Sequence, residues 1–436
     1  MQQKQIKSLL WFTKDLRPYD HEGLQTAIRE SSGIIGVYCI DKEAYTVAKE
    51  FGFSKRSKFQ LSLILEALEE LKKGLQSLNI PLIVFDTTAS ECLTHLLEEY
   101  QIDQVILQEE WSFEEQKEVE NLKSQLPNIL FKTYLGQLLW HPEDVPYNLH
   151  QNELPDVFTV FRKKCEKQAR VRPLIINHSI PTNCFKQASS EIPTLQSLGL
   201  PEVNIPPSAA FKFHGGYQEA QDRLHAYFFE NHHIARYKKT RNGLLGTEYS
   251  SKFSPWLAIG ALSPRYIYHK IKSYEKKHVK NQDTYWLAFE LMWRDYFKYI
   301  SLEHGNHLFK QTGIKKRQYY WKQDKREFLK WVNGQTGDSF VDANMIELQQ
   351  TGFMSNRGRQ NVASYLTKDL QIDWRWGAAY FESVLIDYDV HSNWGNWQYV
   401  SGVGNDPRDR KFNTQLQAER YDPKQEFQKL WLNHKH

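Results

Sequence analysis

Apolar residues follow two alternating periods along the first third of the chain. Short runs rich in β-branched and aromatic residues predict five strands, at Ser8–Phe12, Ile34–Ile40, Leu82–Phe85, Gln104–Leu107 and Ile129–Thr133. Between the strands the apolar positions take the spacing of amphipathic helices, at His21–Glu30, Ser57–Leu78, Ser90–Tyr100 and Phe113–Leu122. This alternation predicts an α/β fold with a parallel, doubly wound sheet. No G-x-G-x-x-G follows the first strand, which argues against a Rossmann-type dinucleotide site there.

The rest of the chain predicts a linker followed by helices. Residues 142–207 hold nine of the sixteen prolines, a density that interrupts regular elements; one helix is predicted within them, near Thr159–Arg170. Ser263 and Pro264 predict a helix start, and a long helix is predicted at about Trp286–Glu303. We therefore expect an α/β domain over residues 1–135, an interdomain linker over 136–210 and an all-α domain over 211–436.

Composition and charge narrow the class of protein. The net charge of +4 is mildly basic and only weakly indicates a nucleic-acid partner. The four cysteines are scattered without a C-x-x-C, as expected for buried thiols in a reducing compartment. The sequence has no apolar run of the length that crosses a membrane and no recognisable secretory or transit peptide. The simplest expectation is a monomeric, cytoplasmic protein that does not bind membranes.

The segment Asp373–Asn413 concentrates aromatic side chains, with four tryptophans in 41 residues. Since indoles are costly to place unless they pack or bind something, we expect a site for a flat aromatic ligand. Asp387, Asp389 and Asn393 form D-x-D-x-x-x-N in this segment. Two close carboxylates also suit a cation, but no further acidic residues continue the pattern as in an EF-hand loop. We expect no metal.

Two polar motifs precede that segment. Tyr249–Arg265 reads YSSKFSPWLAIGALSPR, and its small hydroxyl residues ahead of a helix start suit a pyrophosphate, although an ordinary Ser-rich helix cap has the same pattern. Met354–Gln360 reads MSNRGRQ and puts Asn356 and Arg359 on one helix face. Such a face fits a ligand contact or a solvated surface equally well.

Together these motifs resemble those of the photolyase/cryptochrome family. Three further stretches are similar to its DASH branch: LPDVFTVFRKKCE at Leu154–Glu166, WGNWQY at Trp394–Tyr399 and GVGNDPRDRKFN at Gly402–Asn413. The resemblance covers about residues 6–432. It implies an N-terminal α/β domain, a long linker and a C-terminal helical domain that binds FAD.

The resemblance also implies which residues hold FAD. Tyr237 matches a tyrosine that contacts phosphate, allowing a one-residue gap, and Arg359 would pair with Asp387 beside the flavin ring. Asp389 would bond the uracil-like edge of the ring, and Asn393 would face flavin N5 and favour a reduced flavin. Asn356 would lie near the flavin and the substrate. The motif that holds the phosphates is matched by Ser250, Ser251, Lys252, Phe253 and Ser254.

Three tryptophans have the spacing of the family's electron-transfer chain. Trp397 would lie nearest the flavin, Trp374 next and Trp321 outermost. Indole can lose an electron transiently, so short steps between rings can carry an electron to the flavin. For any one of these residues, burial in a hydrophobic core is the ordinary explanation.

Four residues occupy the positions that line the substrate pocket in the repair enzymes of the family: Glu290, Trp293, Gln360 and Tyr399. Glu290 would contact a flipped pyrimidine dimer and Trp293 would flank it. Tyr399 replaces the usual second Trp and Gln360 the usual Met, which implies a wider and more polar pocket. Because extrusion from a duplex costs a few kcal/mol and least from a single strand, we expect repair mainly in single-stranded DNA, with duplex DNA or RNA bound weakly at most.

A second chromophore is implied near the end of the fourth strand. Gln108–Trp111 reads QEEW, and in the family this region contacts the pterin of 5,10-methenyltetrahydrofolate, an antenna. Glu110 is the better match and Glu109 the alternative; without the resemblance, two exposed acids at a helix start would explain the motif.

The function implied is light-driven repair of cyclobutane pyrimidine dimers by electron transfer from reduced FAD. Two alternatives stay open. The first is a blue-light receptor that signals through flavin photoreduction, and the second is a flavin-containing nucleic-acid-binding protein without turnover.

Overall fold

The computed structural model describes residues 6–48, 52–149, 151, 153–176, 183–185, 188 and 190–433. Its N-terminal part contains a five-stranded sheet in the order β3-β2-β1-β4-β5, and every neighbouring pair is parallel. The predicted doubly wound sheet is therefore confirmed. The strands are β1 Lys7–Trp11, β2 Gly33–Cys39, β3 Leu82–Phe85, β4 Gln104–Gln108 and β5 Leu130–Tyr134, each within one residue of its predicted bounds.

Four helices connect and cover the strands. Helix α2 buries the leucines that set its period, among them Leu61, Leu68 and Leu75, against the sheet. Ser57 accepts a hydrogen bond from the Gln60 amide and so starts this helix. The helices are α1 Glu22–Glu30, α2 Lys58–Gln76, α3 Ala89–Tyr100 and α4 Phe113–Gln125.

After β5 the described residues contain helices and no further strand. One helix, α5 Phe158–Gln168, lies in the proline-rich stretch close to its predicted position. The others are α6 Tyr217–His225, α7 Tyr237–Thr240, α8 Ser254–Ala258, α9 Pro264–Lys277, α10 Gln282–His304, α11 Lys325–Val332, α12 Ser339–Thr351, α13 Asn356–Ser364, α14 Trp374–Val384, α15 Val390–Ser401, α16 Thr414–Tyr421 and α17 Glu426–Leu432. The domain limits at residues 135 and 210 stay predictions.

Local capping explains where the central helices begin. Ser263 accepts from the Tyr266 amide, and Pro264 follows at the first position of α9, as the sequence predicts. Helix α10 begins four residues before its predicted start, because Asn281 and Thr284 cap each other reciprocally. The middle turns of α10, from Leu287 to Phe297, present side chains to the cavities described below.

Buried polar contacts join the sheet to the helical part. The Arg17 guanidinium donates to the carbonyl oxygens of Gly260 at 2.6 Å and Gly136 at 2.9 Å. Arg265 pairs with the buried carboxylate of Asp20 at 2.7 Å. These buried contacts fix the helices that carry the site relative to the sheet.

Among the described residues, no helix is both long and apolar enough to cross a membrane.

Candidate active site

A cleft of about 300 Å³ lies within the helical part. Eleven of the predicted cofactor residues line it: Tyr237, Ser250, Ser251, Lys252, Phe253, Ser254, Asn356, Arg359, Asp387, Asp389 and Asn393. They come from segments separated by more than 100 residues in sequence. The size of the cleft is within the range of ligand pockets, and hydroxyl, amide and charged groups converge on it among apolar side chains.

The hydroxyl-rich end of the cleft is built by the segment before α8. The buried Arg223 guanidinium holds this segment in place by donating to the carbonyl oxygens of Ser250 and Ser251 at 3.2 Å each. Lys252 takes a left-handed backbone conformation, with φ of 64°, which is costly for a residue with a side chain. The turn leads into Ser254, where α8 begins. This geometry suits an anionic group such as a pyrophosphate.

Lys252 and Glu347 lie buried beneath this end of the cleft. Neither the Lys252 Nζ nor one Glu347 oxygen has a hydrogen-bond partner among the described residues. Burial lowers the pKa of Lys252 well below its usual range, although Glu347 opposes the change. Burial likewise raises the pKa of Glu347 to about 8, opposed by Lys252 and Arg359. An anion bound in the cleft would supply the missing partner for the lysine.

Arg359 and Asp387 form an ion pair on one wall of the cleft. Nη2 of Arg359 donates to both Asp387 oxygens, at 2.9 and 2.8 Å. The Asp387 side chain is 2% exposed and the Arg359 side chain 24% exposed, so the guanidinium retains a face toward the cleft. The pairing implied by the family resemblance is present.

Asp389 and Asn393 lie on the neighbouring wall, where α15 begins. Burial alone would raise the pKa of Asp389, but Lys298, 3.5 Å away, holds that pKa well below its usual range. The Asn393 side-chain amide donates to the Ala378 carbonyl oxygen at 3.0 Å. That bond fixes the orientation of the amide and leaves its oxygen as an acceptor in the cleft.

A second cavity, of about 380 Å³, adjoins the cleft. All four predicted substrate residues line it: Glu290, Trp293, Gln360 and Tyr399. Residues that border both cavities include Glu290, Asn356 and Gln360, so a ligand in one cavity shares a wall with a ligand in the other.

The polar groups of the second cavity are held by arginines. Arg241 forms an ion pair with Glu290, and Arg357 donates to the Gln360 side-chain oxygen at 3.0 Å. The Trp293 ring lies 5.8 Å from the Tyr399 ring at 87°. Two aromatic rings, a carboxylate and an amide therefore line one space, a combination that can bind the polar edge and the rings of a planar base.

The three tryptophans of the expected electron path belong to one apolar cluster. Trp397 lines the cleft and is buried, and Gly377 packs closely against its ring. Trp374 is fully buried and donates its indole N–H to the Gln311 carbonyl oxygen at 3.0 Å. Trp321 is partly buried at the margin of the cluster. The order from inside to outside agrees with the expected path.

A third cavity, of about 620 Å³, opens between the sheet and the helical part. It lies at the carboxyl ends of β1 and β2, beside Lys14 and Asp41, and its opposite wall includes Ile259 and Tyr388. Ligands of doubly wound sheets bind at this edge.

Glu110 lines none of these three cavities. It is buried after β4, where its carboxylate accepts from the Gln108 side-chain amide at 3.1 Å and lies 3.7 Å from Lys14 Nζ. Glu109 accepts from the Trp111 indole at 2.9 Å. The structure does not bring Glu110 together with the other site residues, and its role in holding an antenna stays a prediction.

Within the described part of the chain, no group of three or more His, Cys, Asp or Glu side chains is arranged to hold a metal ion.

Comparison with known proteins identifies the family. The family described as "DNA photolyase" matches residues 8–182, and the "FAD binding domain of DNA photolyase" matches residues 286–435. A cryptochrome DASH of Synechocystis sp. is 42% identical over 97% of this chain and 87% of its own length. The chain belongs to the photolyase/cryptochrome family, and its match to the FAD-binding domain supports FAD as the cofactor of the cleft.

Solved structures agree with this assignment. The crystal structure of a Synechocystis cryptochrome has a TM-score of 0.92 at 41% identity, covering 99% of this chain and 90% of the other. A bacterial class III photolyase from Agrobacterium tumefaciens has a TM-score of 0.83 at 26% identity, covering 99% and 88%. Both proteins share the whole two-part fold, and the fold expected from the resemblance is confirmed.

Sequence reasoning missed several residues that shape the site. Arg241 lies in a basic run that the sequence displays, but nothing in that run indicates Glu290 as its partner. Arg223 and Glu347 lie outside the motifs and act from beneath the cleft. Lys298 follows Arg294 by one helical turn on α10, which is a usable signal once α10 is known to face the cleft.

Proposed function

We propose that the chain repairs cyclobutane pyrimidine dimers, mainly in single-stranded DNA, using FAD and blue light. The observation that carries the proposal is the wall shared by the cofactor cleft and the second cavity, with Glu290 on both. When bound, reduced and excited FAD supplies an electron that splits the dimer and is afterwards returned. The residues of the chain bind both partners and hold them close together.

The cleft residues have distinct roles in this proposal. The hydroxyls before α8 and the Lys252 amine bind the phosphates. The left-handed turn at Lys252 brings these binding groups together at one end of the cleft. Arg359 and Asp387 present a fixed donor and acceptor to the flavin ring. Asn393 presents its amide oxygen to N5, and the ionised Asp389 accepts from the uracil-like edge of the ring.

In the second cavity, Glu290 binds the polar edge of an extruded dimer. Its ion pair with Arg241 keeps the carboxylate oriented until the substrate arrives. Trp293 and Tyr399 flank the dimer. A single phenol ring and the amide of Gln360 give less apolar contact than an indole and a thioether, so the cavity offsets less of the cost of extrusion. That difference favours single-stranded substrates.

Cations at the mouth of the second cavity suit the sugar–phosphate backbone. Arg241, Arg294, Arg357 and Arg410 border it. On the margin near Trp321, the exposed Tyr320 adjoins Lys315–Arg317. Cations interleaved with aromatic rings are typical of single-strand binding surfaces. Single-stranded DNA is therefore the proposed partner, and a monomeric state and a cytoplasmic location stay predictions.

The second candidate function is a blue-light receptor, which the buried tryptophan cluster favours. In that role, Trp397, Trp374 and Trp321 pass an electron inward to the flavin, and the change of flavin state alters a partner interaction. Trp397→Phe separates the two functions. Repair with prereduced flavin should survive this change, because repair does not require the tryptophans, whereas photoreduction of oxidised flavin should be lost.

The antenna has two candidate positions. The family resemblance points to 5,10-methenyltetrahydrofolate at Glu110, whereas the third cavity offers about 620 Å³ at the sheet edge. The structure of a photolyase from Sulfolobus tokodaii that is 25% identical to this chain holds two FAD molecules and is described as implying a novel light-harvesting cofactor. Acid extraction and mass measurement of the chromophores that co-purify, with Glu110→Gln as a comparison, decide between a folate at Glu110 and another chromophore elsewhere.

The test of the proposed function is light-dependent repair of one thymine dimer, in a single strand and in the same sequence as duplex. The protein is prereduced, and a dark sample runs in parallel. Repair of the single strand with little repair of the duplex is expected. Equal repair of both would contradict the specificity argued from Tyr399 and Gln360. No repair of either by FAD-loaded protein would contradict the enzymatic role and favour the receptor.

A further inference from the structure

Trp394 packs directly against a member of the expected electron path. Its ring centroid lies 5.7 Å from that of Trp374, at an interplanar angle of 80°. On its other side Trp394 contacts the Phe309 ring at 5.0 Å. The contact with Trp374 lies within the range of the other aromatic contacts of the cluster, from 5.0 to 6.3 Å, so an electron can move between these two indoles over a very short distance.

The Trp394 indole N–H faces an ionisable group. It lies 3.4 Å from a carboxylate oxygen of Glu382 and 3.3 Å from the Tyr388 hydroxyl. Both partners are buried. Arg56 stands behind them, 3.6 Å from the other Glu382 oxygen and with its guanidinium over the Tyr388 ring at 5.4 Å.

The environment of Glu382 makes it a suitable proton acceptor. Burial raises the pKa of the Glu382 carboxyl, while Arg56 and the Tyr388 hydroxyl oppose that rise. Lys55 and Glu114 act on it from further away. The carboxylate is therefore held in place but is more basic than an exposed glutamate.

The other two tryptophans differ in this respect. The Trp374 indole donates to a backbone carbonyl oxygen, that of Gln311, which does not take up a proton. The buried Trp321 indole nitrogen has no hydrogen-bond partner among the described residues. Within these three indoles, Trp394 alone combines ring contact with the path and a carboxylate at its nitrogen.

We propose that Trp394 forms a branch of the electron path leaving Trp374, and that Glu382 accepts its indole proton. This inference rests on the proposed electron path through Trp397 and Trp374. Trp397 loses one electron to light-excited, oxidised flavin, and Trp374 refills Trp397. Trp394 then gives one electron to Trp374 and its Nε1 proton to Glu382.

After these steps Trp397 and Trp374 are restored, the flavin has gained one electron, Glu382 is protonated and Trp394 is a neutral radical. An indole that has lost an electron is a much stronger acid than the parent indole, so the adjacent carboxylate takes the proton readily. Return of the electron then requires the proton to move back as well. The branch therefore prolongs the lifetime of the charge separation between the flavin and the tryptophan, and it does so without moving the radical to Trp321.

The test compares Trp321→Phe, Trp394→Phe and the double variant in full-length protein loaded with oxidised FAD. The long-lived tryptophan radical is followed by transient absorption after a blue flash, and FAD occupancy is measured by its absorbance. Trp321→Phe should retain part of the radical signal, and the double variant should lose it. Trp286→Phe, which changes an indole outside the cluster, is the matched control.

Glu382→Gln separates a proton acceptor from a packing residue, because it keeps the shape of the side chain. In the Trp321→Phe background, it should leave the radical in its protonated form and shorten its lifetime. Solvent deuteration should slow deprotonation in Trp321→Phe but have no effect once Glu382 is replaced. An unchanged lifetime and isotope effect after Glu382→Gln would overturn the role of Glu382.

Two other outcomes are distinguishable. Complete loss of the radical in Trp321→Phe alone, or an equal signal in Trp321→Phe and the double variant, overturns the branch. Radical formation that persists in Trp397→Phe overturns the underlying electron path, and with it the basis of this inference. Trp394→Phe alone should leave prereduced repair unchanged, since the branch carries electrons only during photoreduction.

Discussion

One nitrogen of Arg359 donates to both carboxylate oxygens of Asp387, at 2.9 and 2.8 Å, on the wall of the cofactor cleft. The two residues lie 28 positions apart, on α13 and in the turn before α15. Asp387 is almost fully buried, whereas Arg359 is partly accessible. The pair therefore does more than stabilise the fold, because it orients a donor and an acceptor toward the space where the ligand binds.

Asp387→Asn should lower the amount of FAD that the protein retains. The change leaves Arg359 without its charged partner and removes one acceptor from the cleft. Breaking a buried ion pair costs about 3–5 kcal/mol, and the cost should be smaller for this pair because the Arg359 side chain is 24% exposed. The FAD-to-protein absorbance ratio and the thermal midpoint measure the two effects.

Arg375→Gln is the matched control for that variant, since Arg375 pairs with Asp373 at 2.7 Å away from the three cavities. It should shift the thermal midpoint slightly and leave FAD occupancy unchanged. If both variants lost FAD to the same degree, the loss would reflect general stability rather than the cleft.

Glu290→Gln should reduce repair while leaving FAD bound. Loss of the carboxylate weakens the hydrogen bonds to the dimer, and a hydrogen bond to a charged group contributes about 1.5–3 kcal/mol, equivalent to a fall in repair of roughly tenfold or more. Repair per absorbed photon measures the effect. Glu327→Gln, at a surface ion pair with Lys330 on α11, should repair normally. Full repair by the Glu290 variant would show that the Glu290 carboxylate does not contribute to substrate binding.

The sheet and the site differ in how far the sequence predicts them. Strand positions depend on local periodicity, and all five strands lie within one residue of the predicted bounds. Helix starts depend on capping, so α9 begins where Ser263 predicts. By contrast, the reciprocal cap of Asn281 and Thr284 starts α10 four residues before the predicted Trp286.

The lining of the cleft follows from motifs, but its electrostatics do not. Lys252 lies in a recognisable motif, yet its pKa depends on burial and on Glu347, 95 residues away. Arg241 and Glu290 are 49 residues apart, and no local pattern pairs them. Such contacts arise only when separate helices pack together, which is why the sequence could not predict them.

Tyr399→Trp combined with Gln360→Met should raise repair of duplex DNA. An indole offers a larger stacking face than a phenol. Removal of a whole stacking ring costs about 1–3 kcal/mol per base, or roughly 5- to 150-fold, so the duplex-to-single-strand ratio should rise by at most that factor. The ratio of initial repair rates on the two substrates measures the effect. Tyr100→Trp, far away on α3, makes the same chemical change outside the cavity and should leave the ratio unaltered. An unchanged ratio in the double variant would show that the cavity residues do not set the preference.

FAD should bind more tightly as the pH falls through about 8, because of Lys252 and Glu347. Burial lowers the pKa of Lys252 well below its usual range and raises that of Glu347 to about 8. A falling pH adds a proton to each group: the lysine becomes cationic and the carboxylate becomes neutral. Both changes make the phosphate end of the cleft more positive, and linkage then requires proton uptake when the anionic cofactor binds.

The pH dependence is measured by titrating apoprotein with FAD and following the quenching of flavin fluorescence at several pH values between about 6 and about 9. Glu347→Gln should flatten it near pH 8, since the amide does not titrate, whereas Glu118→Gln, which changes an acid outside the cleft, should preserve it. FAD affinity that is constant with pH, or that rises with pH, would contradict the role of both groups.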